Sequence, residues 1–242
     1  MIYAGYFHTF AYILYGVRMM SFIYQRNRSA SYQNSPRFKG FATKEKEVPM
    51  KRRVFLWLST AILLGGLYIL PLHLHLNQIA QGISYNLEQE TFFSTSASSK
   101  VLSVFSMVAS AVSLLALGVQ TLADKQKMDH KEMIYKNAPS GVDETALDLP
   151  PNRLPFCTTG LYKTWRHPNY VAEFVFHVGI FFAAVPTFTS WHSVLLAFVG
   201  PAVFGSIIRG ATTMLEKRQA EAYTGKFGGA YDKWVASSKR WL

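Results

Sequence analysis

Long stretches of the 242-residue chain contain no charged side chain. Lys, Arg, Asp and Glu are all absent from 54–87 and from 101–123, and 167–208 holds only Glu173. A helix needs about 20 apolar residues to cross a hydrocarbon core of about 30 Å, and charges at its centre are costly. The pattern predicts a single membrane domain over 1–242, an all-α, multi-pass transmembrane helical bundle of about five spans: 2–23, 54–74, 101–123, 169–187 and 190–209.

The composition supports a membrane protein. Hydrophobic residues make up 50% of the chain and charged residues 16%, against roughly a quarter charged in ordinary soluble domains. Such a sequence is too apolar for a disordered segment. Its single cysteine, Cys157, excludes a disulfide framework and a Cys-rich zinc site.

The net charge of +11 comes from the segments between the predicted spans. Of 25 Lys and Arg residues, nine lie in 24–53, seven in 124–168 and seven in 209–242, which are alternate loops. Basic loops face the cytosol in membrane proteins. We therefore expect these three segments to be cytosolic, and we read the positive charge as a sign of membrane topology rather than of nucleic-acid binding.

Two pairs of polar residues lie at the cytosolic ends of predicted spans. Gln120 and Asp124 are four residues apart, as are Asn169 and Glu173, so each pair shares one helix face. Glu173 falls inside a span, where an ionisable residue is a functional candidate by default. The alternatives are a helix end meeting the polar interface for Asp124, and an ion pair with a nearby Lys or Arg for Glu173.

Basic residues precede the span that carries Glu173. Arg166 and His167 come just before Pro168, where side chains and free backbone N–H groups can meet an anionic ligand such as a phosphate. The alternative for Arg166 is a side chain that snorkels to the membrane interface. The chain has no strand-to-helix glycine fingerprint and no Walker sequence, so a nucleotide would have to bind in a helical pocket. No metal site is predicted.

The C-terminal tail predicts an amphipathic helix. Phe227, Tyr231 and Trp234 recur at intervals of four and three residues. This stripe suits a helix lying on the membrane surface. It also suits a tail whose Arg218 reaches back to the polar residues above.

The run from Cys157 to Glu173 reads C-T-T-G-L-Y-K-T-W-R-H-P-N-Y-V-A-E. It resembles the signature of the steroid 5-alpha-reductase C-terminal family, most closely its DUF1295 branch of membrane reductases. Three shorter segments resemble the branch as well: A-D-x-Q-K at 123–127, Y-G-x-R at 15–18 and E-K-R…Y at 216–231. The signature region is 115–242.

The resemblance implies an integral-membrane oxidoreductase that acts on CH–CH groups. Such enzymes reduce a carbon–carbon double bond of a lipid or steroid-like substrate with NADPH, commonly in the endoplasmic reticulum. The partners would be that hydrophobic small molecule and membrane lipid. Carried over by position, the cofactor-binding residues are Gln120, Asp124, Arg166, His167, Asn169, Tyr170, Glu173 and Arg218. Arg166 and Arg218 would contact phosphate, and no catalytic residue is assigned.

The chain departs from the family pattern in three places. Ala172 stands where the branch usually has Gly, and the usual proline-containing ending is replaced by 237–242. Family members also carry further hydrophobic helices before the Y-G-x-R segment. Here only about 15 residues precede it, so we expect either missing N-terminal helices before residue 1 or a reduced member.

Two other functions stay open. Membrane methyltransferases of the isoprenylcysteine and phospholipid type also carry R-H-P-x-Y before a span, and their cofactor is S-adenosylmethionine. Asn169, Glu173 and the Asp124 segment favour the reductase. The third possibility is an inactive membrane scaffold that keeps the fold.

Overall fold

The computed structural model describes residues 2–33, 49–51, 54–55, 58, 99–135, 149, 153–188 and 190–240. The helices with described bounds are α1 Ile2–Arg28, α2 Ala30–Gln33, α3 Ser99–Tyr135, α4 Pro168–Ala184, α5 Trp191–Tyr223 and α6 Ala230–Ser237. Short 3₁₀ turns cover Gly160–Lys163, Val185–Thr187 and Phe227–Gly229. Within the described residues the β-type pairing is one isolated parallel bridge between Trp165 and Lys239, which confirms the predicted all-α class.

Among the described residues, two helices are long and apolar enough to cross a membrane. They are α3, over Val104–Tyr135, and α5, over Trp191–Tyr223. Both carry large apolar side chains on their outer faces, and Leu115 of α3 is 71% exposed. The predicted span 101–123 lies within α3, and 190–209 begins one residue before α5. The predicted span 2–23 lies within α1, and 169–187 matches α4 with its following 3₁₀ turn. The predicted span 54–74 falls almost wholly outside the described residues.

The prediction that 124–168 and 209–242 are loops is wrong where each segment begins. Helix α3 continues twelve residues past Ala123 to Tyr135, so Gln126 and Lys127 are helical and do not begin a loop. Likewise α5 runs on past position 209 to Tyr223. The segments beyond both boundaries are rich in Lys, Glu, Gln, Met and Ala, which are good helix formers. Charge marks where a helix leaves an apolar environment, and it does not mark where the helix ends.

The chain divides into two compact units. The first, which we call the apolar unit, is drawn from 1–17, 54–118 and 172–207, and the second, the polar unit, from 18–53, 119–171 and 208–242. Helices α1, α3, α4 and α5 contribute residues to both.

Small residues and hydroxyl groups hold α3 and α4 together in the apolar unit. A Cβ placed on Gly179 would lie 2.3 Å from the Ser113 Oγ, so only glycine allows this approach. Ser113 Oγ shares its proton between the Ala109 carbonyl of its own helix, at 3.0 Å, and the Phe176 carbonyl, at 3.2 Å. Ser106 Oγ donates to the Ala183 carbonyl at 2.7 Å. Close packing of small residues with interhelical hydrogen bonds is typical of helices in membranes.

Aromatic side chains form the core of the polar unit. Phe156, Tyr223, Tyr231 and Trp234 are buried against one another, with ring centroids 5.2–5.9 Å apart. The predicted amphipathic C-terminal helix is present as α6, although Phe227 precedes it in a 3₁₀ turn. Its aromatic face is therefore buried in protein.

Candidate functional site

Asp124 is the centre of a buried polar cluster in the polar unit. Its carboxylate accepts hydrogen bonds from Arg18 Nη2 and from Asn169 Nδ2, the latter at 3.0 Å. Arg18 also reaches the Gln120 carbonyl oxygen at 3.5 Å. A buried carboxylate needs such an ion pair and hydrogen bonds to offset the loss of water. The cluster joins α1, α3 and the first turn of α4 through one acidic side chain.

Gln120 is buried one helical turn before Asp124. Its side chain is only 2% exposed, and its Oε1 has no hydrogen-bond partner among the described residues. Leaving a buried polar atom unpaired costs about 1–3 kcal/mol. The Gln120 carboxamide is thus suited to bind a ligand group that can donate a hydrogen bond.

Glu216 organises a second cluster in the same unit. Its Oε1 accepts from Arg166 Nε at 2.9 Å and lies 3.2 Å from His167 Nε2, while its Oε2 lies 3.0 Å from Arg240 Nε. Arg166 also donates through Nη1 to the carbonyl oxygens of Val235 and Ser238, at 2.8 and 3.0 Å. Three basic side chains from two parts of the chain, 166–167 and 240, therefore converge on one carboxylate. We call this set of Arg166, His167, Glu216 and Arg240 the Glu216 cluster.

A pocket of about 70 Å³ opens beside this cluster. We call it the basic pocket; its lining residues are Lys127, His130, Lys131, Pro155, Phe156, Cys157, Tyr162, Arg166, His167, Leu215, Gln219, Tyr223 and Trp234. Three of them are Lys or Arg, two are His, and among these described residues none is acidic. A volume of this size holds a few water molecules or one phosphate-sized group.

Two polar atoms in the pocket residues are buried without partners. Tyr162 is 3% exposed, and neither its hydroxyl nor the Gln219 Oε1 makes a hydrogen bond with the described residues. Burial, and secondarily the charge of Asp124, raises the pKa of the Tyr162 phenol far above its usual value, so the hydroxyl keeps its proton and can donate it in a hydrogen bond. A ligand with anionic oxygens would satisfy this donor.

His167 is neutral at physiological pH. Burial, reinforced by the positive charge of Lys127, lowers the pKa of its imidazole from 6.5 to about 4, against the opposing effect of Glu216. Because Glu216 accepts hydrogen bonds, Nε2 carries the proton of the neutral ring. The ring also stacks on Tyr170, with centroids 5.7 Å apart.

The T-G-L turn of the signature is required by close packing against α3. Gly160 has φ +60°, and a Cβ there would lie 2.5 Å from the Gln126 Oε1. The same oxygen accepts a hydrogen bond from the Leu161 N–H at 3.0 Å. Glycine at 160 therefore brings the loop onto α3, and Tyr162 follows as part of the pocket lining.

Glu173 belongs to the apolar unit. Its Oε1 accepts a hydrogen bond from the Tyr15 hydroxyl at 2.9 Å. The Tyr15 ring stacks on Phe176, with centroids 4.7 Å apart, and meets the edge of His177 at 5.3 Å. This unit thus holds a phenol and a carboxyl group in direct contact within aromatic surroundings.

The eight residues predicted to bind a cofactor fall into distinct places. Gln120, Asp124 and Asn169 form the Asp124 cluster, and Arg166, His167 and Tyr170 lie at the Glu216 cluster. Glu173 pairs with Tyr15 in the apolar unit, and Arg218 is exposed on α5. Whether each binds a cofactor stays a prediction.

Sequence reasoning did not assign a role to several residues that the structure brings to these clusters. They are Tyr15, Arg18, Lys127, Lys131, Tyr162, Glu216, Gln219 and Arg240. The Y-G-x-R and E-K-R segments contained the signal for Tyr15, Arg18 and Glu216. Among the described residues no group of three or more His, Cys, Asp or Glu is placed to hold a metal ion.

The comparisons with known proteins identify a family. Comparison with curated proteins gave no match, and comparison with solved structures gave none. A family model described as "Protein of unknown function (DUF1295)" matches residues 6–235, which covers all the clusters described above except Arg240. The chain therefore belongs to the DUF1295 family.

Proposed function

We propose that this chain is an integral-membrane reductase that uses NADPH to reduce a carbon–carbon double bond of a lipid or steroid-like substrate. The observation that carries the proposal is the basic pocket. It combines Lys127, Lys131 and Arg166 with a buried hydroxyl donor, and its described lining contains no carboxylate. Ammonium, guanidinium and hydroxyl groups are the donors that bind phosphate oxygens in proteins.

The size of the pocket fits part of a dinucleotide. A volume of about 70 Å³ accommodates a phosphate-sized group and excludes a whole NADPH molecule. The pocket would therefore hold a phosphate group of the cofactor. In the same unit, the unpaired Gln120 Oε1 and the Asp124 carboxylate supply acceptors for ribose hydroxyls or a carboxamide.

The charge of the pocket favours a reductase over a methyltransferase. S-adenosylmethionine carries a sulfonium cation and no phosphate, and its one carboxylate is the single group that Lys and Arg side chains attract. NADPH carries several negative charges, and its attraction to such a pocket is strong in a partly buried site.

Reduction of a carbon–carbon double bond adds one hydride and one proton. The nicotinamide would supply the hydride when bound, and no residue is assigned as the proton donor.

A membrane location is consistent with the outer faces of the helices. Large apolar side chains on α1, α3 and α5 are exposed, which includes Ile13, Leu115 and Leu195 at more than half of their surface. Contiguous apolar faces of this kind suit contact with lipid. We propose about five spans, cytosolic placement of 24–53, 124–168 and 209–242, and residence in the endoplasmic reticulum.

Cofactor binding by the purified chain in detergent tests the proposal. We expect NADPH to bind with a micromolar dissociation constant and S-adenosylmethionine not to bind. Asn169→Ala should weaken NADPH by about tenfold, because it removes a hydrogen bond at Asp124. Tight binding of S-adenosylmethionine without NADPH binding would establish the methyltransferase, and binding of neither would favour a scaffold.

A further inference from the structure

Glu216 joins the basic side chains of the pocket wall without lining the pocket itself. Its carboxylate contacts Arg166, His167 and Arg240, and the first two of these line the basic pocket. Arg240 lies near the end of the chain, so the same carboxylate also holds the C-terminal segment. Glu216 is therefore positioned to act on the pocket through its neighbours.

The C-terminal segment is bonded to the signature loop at several points. Lys239 N–H donates to the Thr164 carbonyl at 2.8 Å, and Arg166 N–H donates to the Lys239 carbonyl at 3.1 Å. Trp234 Nε1 donates to the Tyr162 carbonyl at 2.8 Å. We call these bonds the clasp. Because Trp234 and Tyr162 both line the basic pocket, the clasp brings two parts of its wall together.

Arg166 links the clasp to Glu216. Its Nη1 bonds to the Val235 and Ser238 carbonyls and its Nε bonds to Glu216. Three hydrogen bonds fix the plane of the guanidinium, and Nη2 is the nitrogen left without a bond to the described residues. An arginine held in this way presents a preorganised donor to a ligand.

We propose that Glu216 is a positioning residue for the basic pocket, and that it sets phosphate affinity by holding Arg166, His167 and the C-terminal segment in place. The inference rests on the proposed function in that the pocket is taken to hold a phosphate group. By its charge alone Glu216 opposes an anion nearby, so loss of that charge would tighten phosphate binding. By its positioning role the same loss weakens binding, and the two effects have opposite signs.

Two substitutions separate charge from position. Glu216→Gln removes the charge and turns an acceptor toward Arg240 into a donor, whereas Glu216→Asp keeps the charge and shortens the reach. Glu221→Gln is the matched control, because it removes one negative charge from an exposed position on the same helix. If Glu216 acts by positioning, both Glu216 variants should bind phosphate more weakly. If it acts by its charge alone, Glu216→Gln should bind phosphate more tightly and Glu216→Asp should not change.

The measurement is equilibrium binding of NADPH and of inorganic pyrophosphate to the full chain in detergent, with hydrogen exchange on each variant. We expect both Glu216 variants to lose about tenfold in affinity for each probe, as for residues that orient metal ligands, and the control to match wild type. Exchange should become faster at 164–167 and 237–240 while α3 and α4 keep their protection.

Other outcomes would contradict the proposed role of Glu216 or the proposed function. Tighter or unchanged binding of the two probes by Glu216→Gln overturns the positioning role. Faster hydrogen exchange throughout the chain in both Glu216 variants overturns it as well, because Glu216 would then be required for folding. Wild-type binding of pyrophosphate without NADPH removes the proposed function and leaves this inference standing. Wild-type binding of neither probe overturns the inference.

Discussion

The two units of the chain satisfy their buried polar groups in different ways. In the apolar unit, serine hydroxyls bond to backbone carbonyls, as Ser106 and Ser113 do, and one phenol bonds to one carboxyl group. In the polar unit, the Asp124 carboxylate pairs with Arg18 and accepts a hydrogen bond from Asn169, and the Glu216 carboxylate pairs with Arg166 and Arg240. A hydroxyl–carbonyl hydrogen bond holds two helices together without burying a charge. A cluster of charged side chains can instead bind an ionic ligand. The difference suits the apolar unit chiefly to structural packing and the polar unit to the ligand binding that we propose.

The largest expected effect is loss of the buried acid in the polar unit. Asp124→Ala leaves the Arg18 guanidinium and the Asn169 carboxamide without their shared partner, and we expect a loss of about 3–5 kcal/mol in the free energy of unfolding. Denaturant unfolding in detergent measures it. Asp129→Ala, at an exposed position on the same helix, is the control and should stay within about 0.5 kcal/mol of wild type. An equal effect of both substitutions would contradict the role of Asp124 as the centre of a buried polar cluster.

The second effect is a dependence of stability on pH that comes from His167. Its imidazole is packed near Lys127, Arg166 and Glu216, and its pKa is lowered from 6.5 to about 4 in the folded chain. The folded state therefore stays neutral while the unfolded chain takes up a proton below pH 6.5. The contribution of neutral His167 to the free energy of unfolding is complete above pH 6.5 and is lost as the pH falls toward 4. Its upper bound is about 3 kcal/mol.

Thermal unfolding between pH 4 and 7 tests this effect. His167→Gln should flatten the decline in stability below pH 6.5, and His192→Gln, at an exposed position on α5, should leave it unchanged. If the stability of His167→Gln falls below pH 6.5 as much as that of the wild type, other titratable groups cause the decline.

The third effect concerns packing in the apolar unit. Gly179→Leu puts a side chain where a Cβ alone lies 2.3 Å from the Ser113 Oγ, so α3 and α4 must separate. We expect a loss of about 1–3 kcal/mol, typical of overpacking, and retained binding of NADPH by the polar unit. Gly118→Ala is the control, because a Cβ there meets nothing within 4 Å. Loss of NADPH binding together with the loss of unfolding free energy would show that packing in the apolar unit also determines ligand binding.

The smallest effect is the loss of one hydrogen bond in the clasp. Trp234→Phe keeps an aromatic ring against Phe156 but removes the Nε1–H that reaches the Tyr162 carbonyl. We expect a loss of about 1 kcal/mol in unfolding free energy. Hydrogen exchange at 234–239 should become faster, and exchange in α4 should not change.

Much of the helical architecture follows from the distribution of charge. The windows with one charged residue or none, 101–123 and 167–208, located α3, α4 and α5, because a long apolar run has few alternatives to a buried or membrane helix. The ends of α3 and α5 did not follow from that pattern. Their last three turns contain charged residues with high helix propensity, such as Lys131 and Glu216, and these continue the helix outside the apolar region.

The candidate site was predictable in part. Spacing on one helix face and the resemblance of the motifs singled out Asp124, Asn169 and Glu173. The structure places Asp124 and Asn169 in a buried hydrogen bond and Glu173 in a partly buried one. The partners Arg18 and Tyr15 lie more than a hundred residues away along the chain, so local periodicity carried no information about them. Arg218 was singled out for its charge, yet it is exposed, because the inward face of α5 belongs to Glu216.

The most direct test of the central claim is the effect of the pocket lysines on NADPH affinity. Each ammonium–phosphate contact is worth about 1.5–3 kcal/mol, so the double variant Lys127→Met and Lys131→Met should weaken NADPH by at least about a hundredfold. Lys125→Met, at an exposed position on the same helix, should bind NADPH as the wild type does. Equal NADPH affinity in the wild type and the double variant would contradict the assignment of the basic pocket to a phosphate group.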